Sequence, residues 1–126
     1  MDAEDIKITA QLNRQCIKKG MDENITLVAN VETKAGADCC PWLKVSFWPT
    51  LNVKTLSLKG KAAAFGRPVS MIVQTNSGRR KIIFKLSVHG DIEGYLPLGT
   101  LTAEHGNQAR GKRKYLFTED VGVFCL

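Results

Sequence analysis

Between residues 39 and 90 the chain carries no aspartate or glutamate, although its 126 residues include 12 acidic side chains. Nine cations fill that interval, Lys44, Lys54, Lys59, Lys61, Arg67, Arg79, Arg80, Lys81 and Lys85, while the segments on either side are slightly acidic. The net charge of +6 is therefore a property of the middle of the chain. Long hydrophobic runs are also missing. The most apolar stretch, residues 25–31, is interrupted by Thr26 and Asn30, whereas a membrane-spanning helix needs about 20 apolar residues. The start, Met1-Asp2-Ala3-Glu4-Asp5, has neither the cationic nor the apolar region of a secretion signal, so a soluble, cytoplasmic protein is expected.

Metal-ligand spacing is absent as well. Cys16, Cys39, Cys40, Cys125, His89 and His105 do not form the separated pairs that a zinc site needs. Cys39 and Cys40 are adjacent and cannot form an unstrained bridge with each other, and a reducing compartment predicts free thiols throughout. The glycosylation pattern Asn24-Ile25-Thr26 then has no meaning. No nucleophile elbow surrounds a serine or cysteine, and the glycines are dispersed at turns rather than gathered in a phosphate-cradling loop. The polar groups of His89-Gly90-Asp91-Ile92-Glu93 and Glu119-Asp120 are close in sequence as loop residues usually are. No cofactor or metal is expected, and an enzyme, one without a recognisable motif, is only the third reading of the chain.

What the chain does contain is alternation. Apolar residues make up 44% and charged residues 24%, the balance of an ordinary globular chain, and the length suits one domain over 1–126. Ile6, Ile8, Ala10 and Leu12 alternate with Lys7, Thr9 and Gln11, which predicts a first strand. A helix over 9–19, stopped by Gly20, is the competing reading of that region. Residues 24–33 are rich in β-branched side chains, and Leu43, Val45 and Phe47 alternate with Lys44, Ser46 and Trp48 ahead of Pro49. Residues 53–59 predict a fourth strand. A hairpin follows, with 69–75 and 80–89 as arms around Asn76-Ser77-Gly78. Later strands are expected over 94–103, 114–118 and 122–125. Seven to nine short strands with little helix predict an all-β fold, an antiparallel β-sandwich of immunoglobulin-like or similar Greek-key topology, with Trp42 placed for its core.

Strand parity assigns the acid-free block to a surface. On the 80–89 arm Ile82, Phe84, Leu86 and Val88 point one way, which leaves Lys81, Ile83, Lys85, Ser87 and His89 on the other. On the 43–48 strand the outward set is Lys44, Ser46 and Trp48. If these strands share a sheet, its wet face offers cations with an aromatic ring between them. Such a face suits phosphates and stacked bases. A second cluster, Arg110, Lys112, Arg113 and Lys114, lies in a Gly-containing loop ahead of Tyr115 and Phe117 and also reads as a nuclear-import signal.

The expectation is a non-enzymatic nucleic-acid-binding protein, RNA included, with contacts through phosphates from Lys44, Trp48, Arg79, Arg80, Lys81, Lys85, Arg110, Lys112, Arg113 and Lys114. The chain lacks the aromatic signature of an RNA-recognition motif, so base-specific reading is not expected. Two rivals use the same residues. One is a protein-interaction or structural module with an acidic partner or with self-association through a strand edge. The other is a matrix-like peripheral protein on anionic lipid. Individual lysines on a sheet also serve simply to keep it soluble.

Overall fold

The computed structural model describes residues 6–33, 42–74, 78–105 and 115–126, and in it the alternation forms ten strands. They are β1 (Ile6–Leu12), β2 (Cys16–Ile17), β3 (Asp22–Thr33), β4 (Trp42–Pro49), β5 (Val53–Leu58), β6 (Lys61–Ala62), β7 (Val69–Gln74), β8 (Gly78–His89), β9 (Gly94–His105) and β10 (Tyr115–Cys125). Two five-stranded sheets result, in the orders β1-β3-β8-β5-β6 and β2-β10-β9-β4-β7. The pairing is antiparallel except for the short parallel contact of β2 with β10. The fold is the expected β-sandwich, although β3, β8 and β9 reach 12 residues each rather than staying short.

Parity places the core as the sequence predicts. Ile25, Leu27, Ala29 and Val31 of β3 and Ile82, Phe84, Leu86 and Val88 of β8 are buried, and they face Leu43, Val45 and Phe47 of β4 and Leu98, Leu101 and Ala103 of β9. Phe84 from one sheet meets Phe47 from the other at a ring-centroid distance of 5.9 Å and a tilt of 43°, a favourable offset for two quadrupolar rings. Trp42 is not part of this core. It has the parity of Lys44, Ser46 and Trp48 and stands half-exposed on the outside.

The first strand stands where it is expected, and three further expectations are corrected. The competing helix over 9–19 does not form. Asn13 instead donates its backbone N–H to Thr26 and accepts the Thr26 N–H on its side chain, and the chain crosses from β1 in one sheet to β2 in the other. The arms at 69–75 and 80–89 are not a hairpin, because β7 pairs with β4 while β8 pairs with β3 and β5. Each arm has one apolar face, and assigning them to opposite sheets turns both faces into the same core. Among the described residues, only β5–β6 and β9–β10 are consecutive strands that pair with each other. The strands expected at 114–118 and 122–125 are one strand, β10, with an irregularity between Val121 and Gly122. Gly122 is not a break there; it makes room for the Tyr95 ring, which a Cβ would strike.

The strand expected over 53–59 stops one residue early, at Leu58. Lys59 and Gly60 both have positive φ, 51° and 77°, the signature of a tight hairpin turn. Lysine seldom adopts this conformation, but here it reverses the chain and ends β5 at Leu58. β6 then pairs back onto β5 at Leu58↔Lys61 and Ser57↔Ala62. β5 covers β8 only from Val88 to Phe84.

Candidate functional site

The register of β3, β8 and β5 sets the chemistry of one outer face. Opposite β8, β3 places Asp22 beside His89, Asn24 beside Ser87, Thr26 beside Lys85, Val28 beside Ile83, Asn30 beside Lys81 and Glu32 beside Arg79. The acid-free block therefore receives acids from a strand outside it. Arg79 donates through Nε to Glu32 Oε1 at 3.0 Å. Between the charged ends the neighbours are neutral, with Thr55 and Ser87 hydroxyls 2.6 Å apart. Lys81, Ile83 and Lys85 are exposed in the middle of the face.

His89 is clamped at the other end. Its Nδ1 lies 2.7 Å from Asp22 Oδ1 and its Nε2 lies 2.7 Å from Asp91 Oδ1, so the doubly protonated ring donates to both carboxylates. The hydrogen bond to Asp91, then that to Asp22, raises its pKa above the ordinary 6.5, against a smaller opposing effect of burial. Because the folded-state pKa is the higher one, the clamp stabilises the fold fully below about pH 6.5 and loses this contribution as pH rises through the raised value. The melting temperature is expected to fall over that alkaline-going window, and Asp91→Asn should flatten the dependence. A melting temperature that rises across the same window in the parent protein would contradict the clamp.

Lys44 and Trp48 lie on the opposite outer face, because β4 belongs to the other sheet. The sequence expectation of one shared basic face is corrected accordingly. Lys44 is half-buried and in register with Ile72 and with the buried Glu104. Trp48 donates its indole N–H to Thr102 Oγ1 at 2.9 Å, and the adjacent Thr100 donates to Asp120 at 2.8 Å. The residue is 38% exposed, with its indole fixed by the Thr102 hydroxyl. Arg80 is exposed at the start of β8, where it donates to the Arg79 carbonyl. Arg110, Lys112, Arg113 and Lys114 lie outside the described residues.

What the structure does bring together is a seam between the two sheets. A groove of about 470 Å³ is lined by Ser57, Leu58, Lys59, Gly60, Met71, Lys81, Ile82, Ile83 and Lys85. A second groove, of about 390 Å³, shares Leu58, Lys59 and Met71 with it and continues past Lys61, Arg67 and Val69. Sequence reasoning counted Lys59, Lys61 and Arg67 in the acid-free block but did not assign them to the site. Among the described residues no carboxylate lies within ion-pair distance of Lys59, Lys61, Arg67, Lys81 or Lys85. The walls are apolar and the rim is cationic. Among the described residues no group of three or more His, Cys, Asp or Glu converges.

No protein-family model matches the chain, and no curated protein sequence matches it. Among solved structures it is similar to AggA, the major subunit of aggregative adherence fimbriae type I from Escherichia coli. The identity is 18%, over 97% of this chain and 96% of that one, with a TM-score of 0.49. It is also similar to the CARDB domain of a Pyrococcus furiosus protein solved with di-metal ions, at 9% identity over 98% and 90% of the two chains and a TM-score of 0.45. At these values the sandwich assignment stands on the strand pairing itself.

Proposed function

We propose that this protein is a non-enzymatic binding module that holds an anionic macromolecule along the basic seam. The observation that carries the reading is the convergence of Lys59, Lys61, Arg67, Lys81 and Lys85 on two confluent grooves without a carboxylate in reach among the described residues. Opposite charges on a folded surface normally intermix. Cations left uncompensated around a concavity repel one another, and an anionic partner relieves that repulsion while releasing its counterions.

Nucleic acid held through its phosphates is one partner of this kind. The test is a fluorescence titration against single-stranded and duplex DNA and RNA, with polyglutamate alongside, from low to physiological salt. Binding to at least one polyanion is expected, with log K falling by roughly 0.7 per phosphate neutralised for each tenfold rise in salt on a single strand. Salt-independent binding, or none to any polyanion at low salt, would remove the reading. An anionic lipid surface draws on the same cations, and flotation of vesicles with and without anionic lipid separates it. A protein partner is the second reading, and the part of β8 that β5 leaves uncovered, open on that side among the described residues, favours it.

A further inference from the structure

Resting on the reading of the seam as the binding site, we infer that its partner is an extended, acidic polypeptide segment that adds as a strand beside the first half of β8. β8 is an interior strand, paired with β3 along its whole length. On its other side β5 reaches only from Val88 to Phe84, because the chain turns back at Lys59–Gly60. Among the described residues nothing pairs with residues 78–83 on that side. An interior strand with half an edge open presents a row of main-chain donors and acceptors that a further strand satisfies. An incoming segment of about six residues, at about 3.3 Å each, spans the gap.

The side chains around the gap define what that segment carries. Successive residues of an added strand alternate between the two faces of the sheet. Its inward positions lie against Met71 and Ile82 and call for apolar side chains. Its outward positions come beside Lys81 and Ile83, with Lys59 and Lys85 at the end of the groove where β5 stops. These positions call for carboxylates, since no carboxylate among the described residues lies within ion-pair distance of these lysines. Alternating apolar and acidic residues are the fit. Nucleic acid meets the lysines equally well but has no amide ladder to pair with the edge, and its phosphates have no use for Met71 and Ile82.

The experiment uses the full chain and a labelled peptide of about six residues alternating glutamate and valine, the length that covers the open edge. Fluorescence anisotropy at low salt gives affinity, and amide hydrogen exchange gives location. The expected result is binding with slowed exchange within 79–83, weakened about tenfold or more when alternate peptide amides are N-methylated and weakened likewise by Lys81→Glu. Peptide binding that ignores N-methylation would overturn strand addition. Binding of oligothymidylate but not of the peptide would replace the partner with nucleic acid while leaving the seam reading intact. Failure of both probes would end the seam reading itself. A dimer of the parent protein on gel filtration that Lys81→Glu dissociates would make the occupant a second copy, and the acidic-partner inference would then fall.

Discussion

Replacing Phe84 by alanine is expected to remove about 3–5 kcal/mol of folding stability, the range for truncating a buried phenylalanine. The side chain is fully buried and stands against Phe47 across the two sheets. Truncation leaves a cavity at the point where the sheets depend on each other. It also removes the ring pair, itself worth roughly 1 kcal/mol beyond area burial. For a chain of this size the total stability is about 5–15 kcal/mol, so the variant is expected to be marginal at 37 °C. Phe84→Leu keeps most of the volume and should cost much less. Urea unfolding of the two variants is the measurement. A loss below about 1 kcal/mol for the alanine variant, the level of an ordinary surface change, would mean that the sheets do not face each other through this pair.

The identity of that core was legible because strand parity acts locally. Leu43, Val45 and Phe47, or Ile82, Phe84 and Leu86, keep a two-residue period whatever strand lies beside them, and all six are buried. Pairing is another matter, since parity says which face is dry and not which neighbour supplies the hydrogen bonds. Asn76-Ser77-Gly78 signals only that the chain changes direction. Whether it joins two neighbours in one sheet or carries the chain across the core is decided by the rest of the molecule, where β3 and β5 flank β8 and β4 takes β7. Trp42 is the opposite case, where residue type suggested the core while its parity on the strand, shared with Lys44 and Trp48, already pointed outward.

The site was legible in part for a related reason. The acid-free interval was a real signal, but sequence distance hid the acids that β3 brings to β8, Glu32 to Arg79 and Asp22 to His89. Removing those neutralised groups leaves Lys81 and Lys85 as the unopposed cations of that face. The strand pairing then adds Lys59, Lys61 and Arg67 from turns and edges. The groove itself depends on a lysine with φ of 51°, which no residue-type preference would have suggested. Strand ends are where sequence patterns say least, and the end of β5 at Leu58 is what limits its cover of β8 to Phe84–Val88.

Reversing Lys59, Lys81 and Lys85 together to glutamate is expected to weaken binding of an acidic partner on the order of a hundredfold at low salt, from about 1 kcal/mol per exposed charge contact. The loss should shrink as salt is raised, because exposed charges are screened over about 10 Å at 0.1 M. Folding should survive, since the three side chains are exposed and surface substitutions usually stay within about 0.5 kcal/mol each. The paired control is Lys44→Glu with Trp48→Ala, on the opposite face of the sandwich. It costs some stability through the lost indole bond to Thr102 but is expected to leave affinity within about twofold, well under the 1.4 kcal/mol of a tenfold change. The two sets of residues all come from the acid-free block and lie on different sheets. Equal losses from both variants would show that binding follows net charge rather than the seam. A loss confined to Lys44 and Trp48 would return the interface to the other sheet, where the ring is fixed and the cation stands beside Glu104.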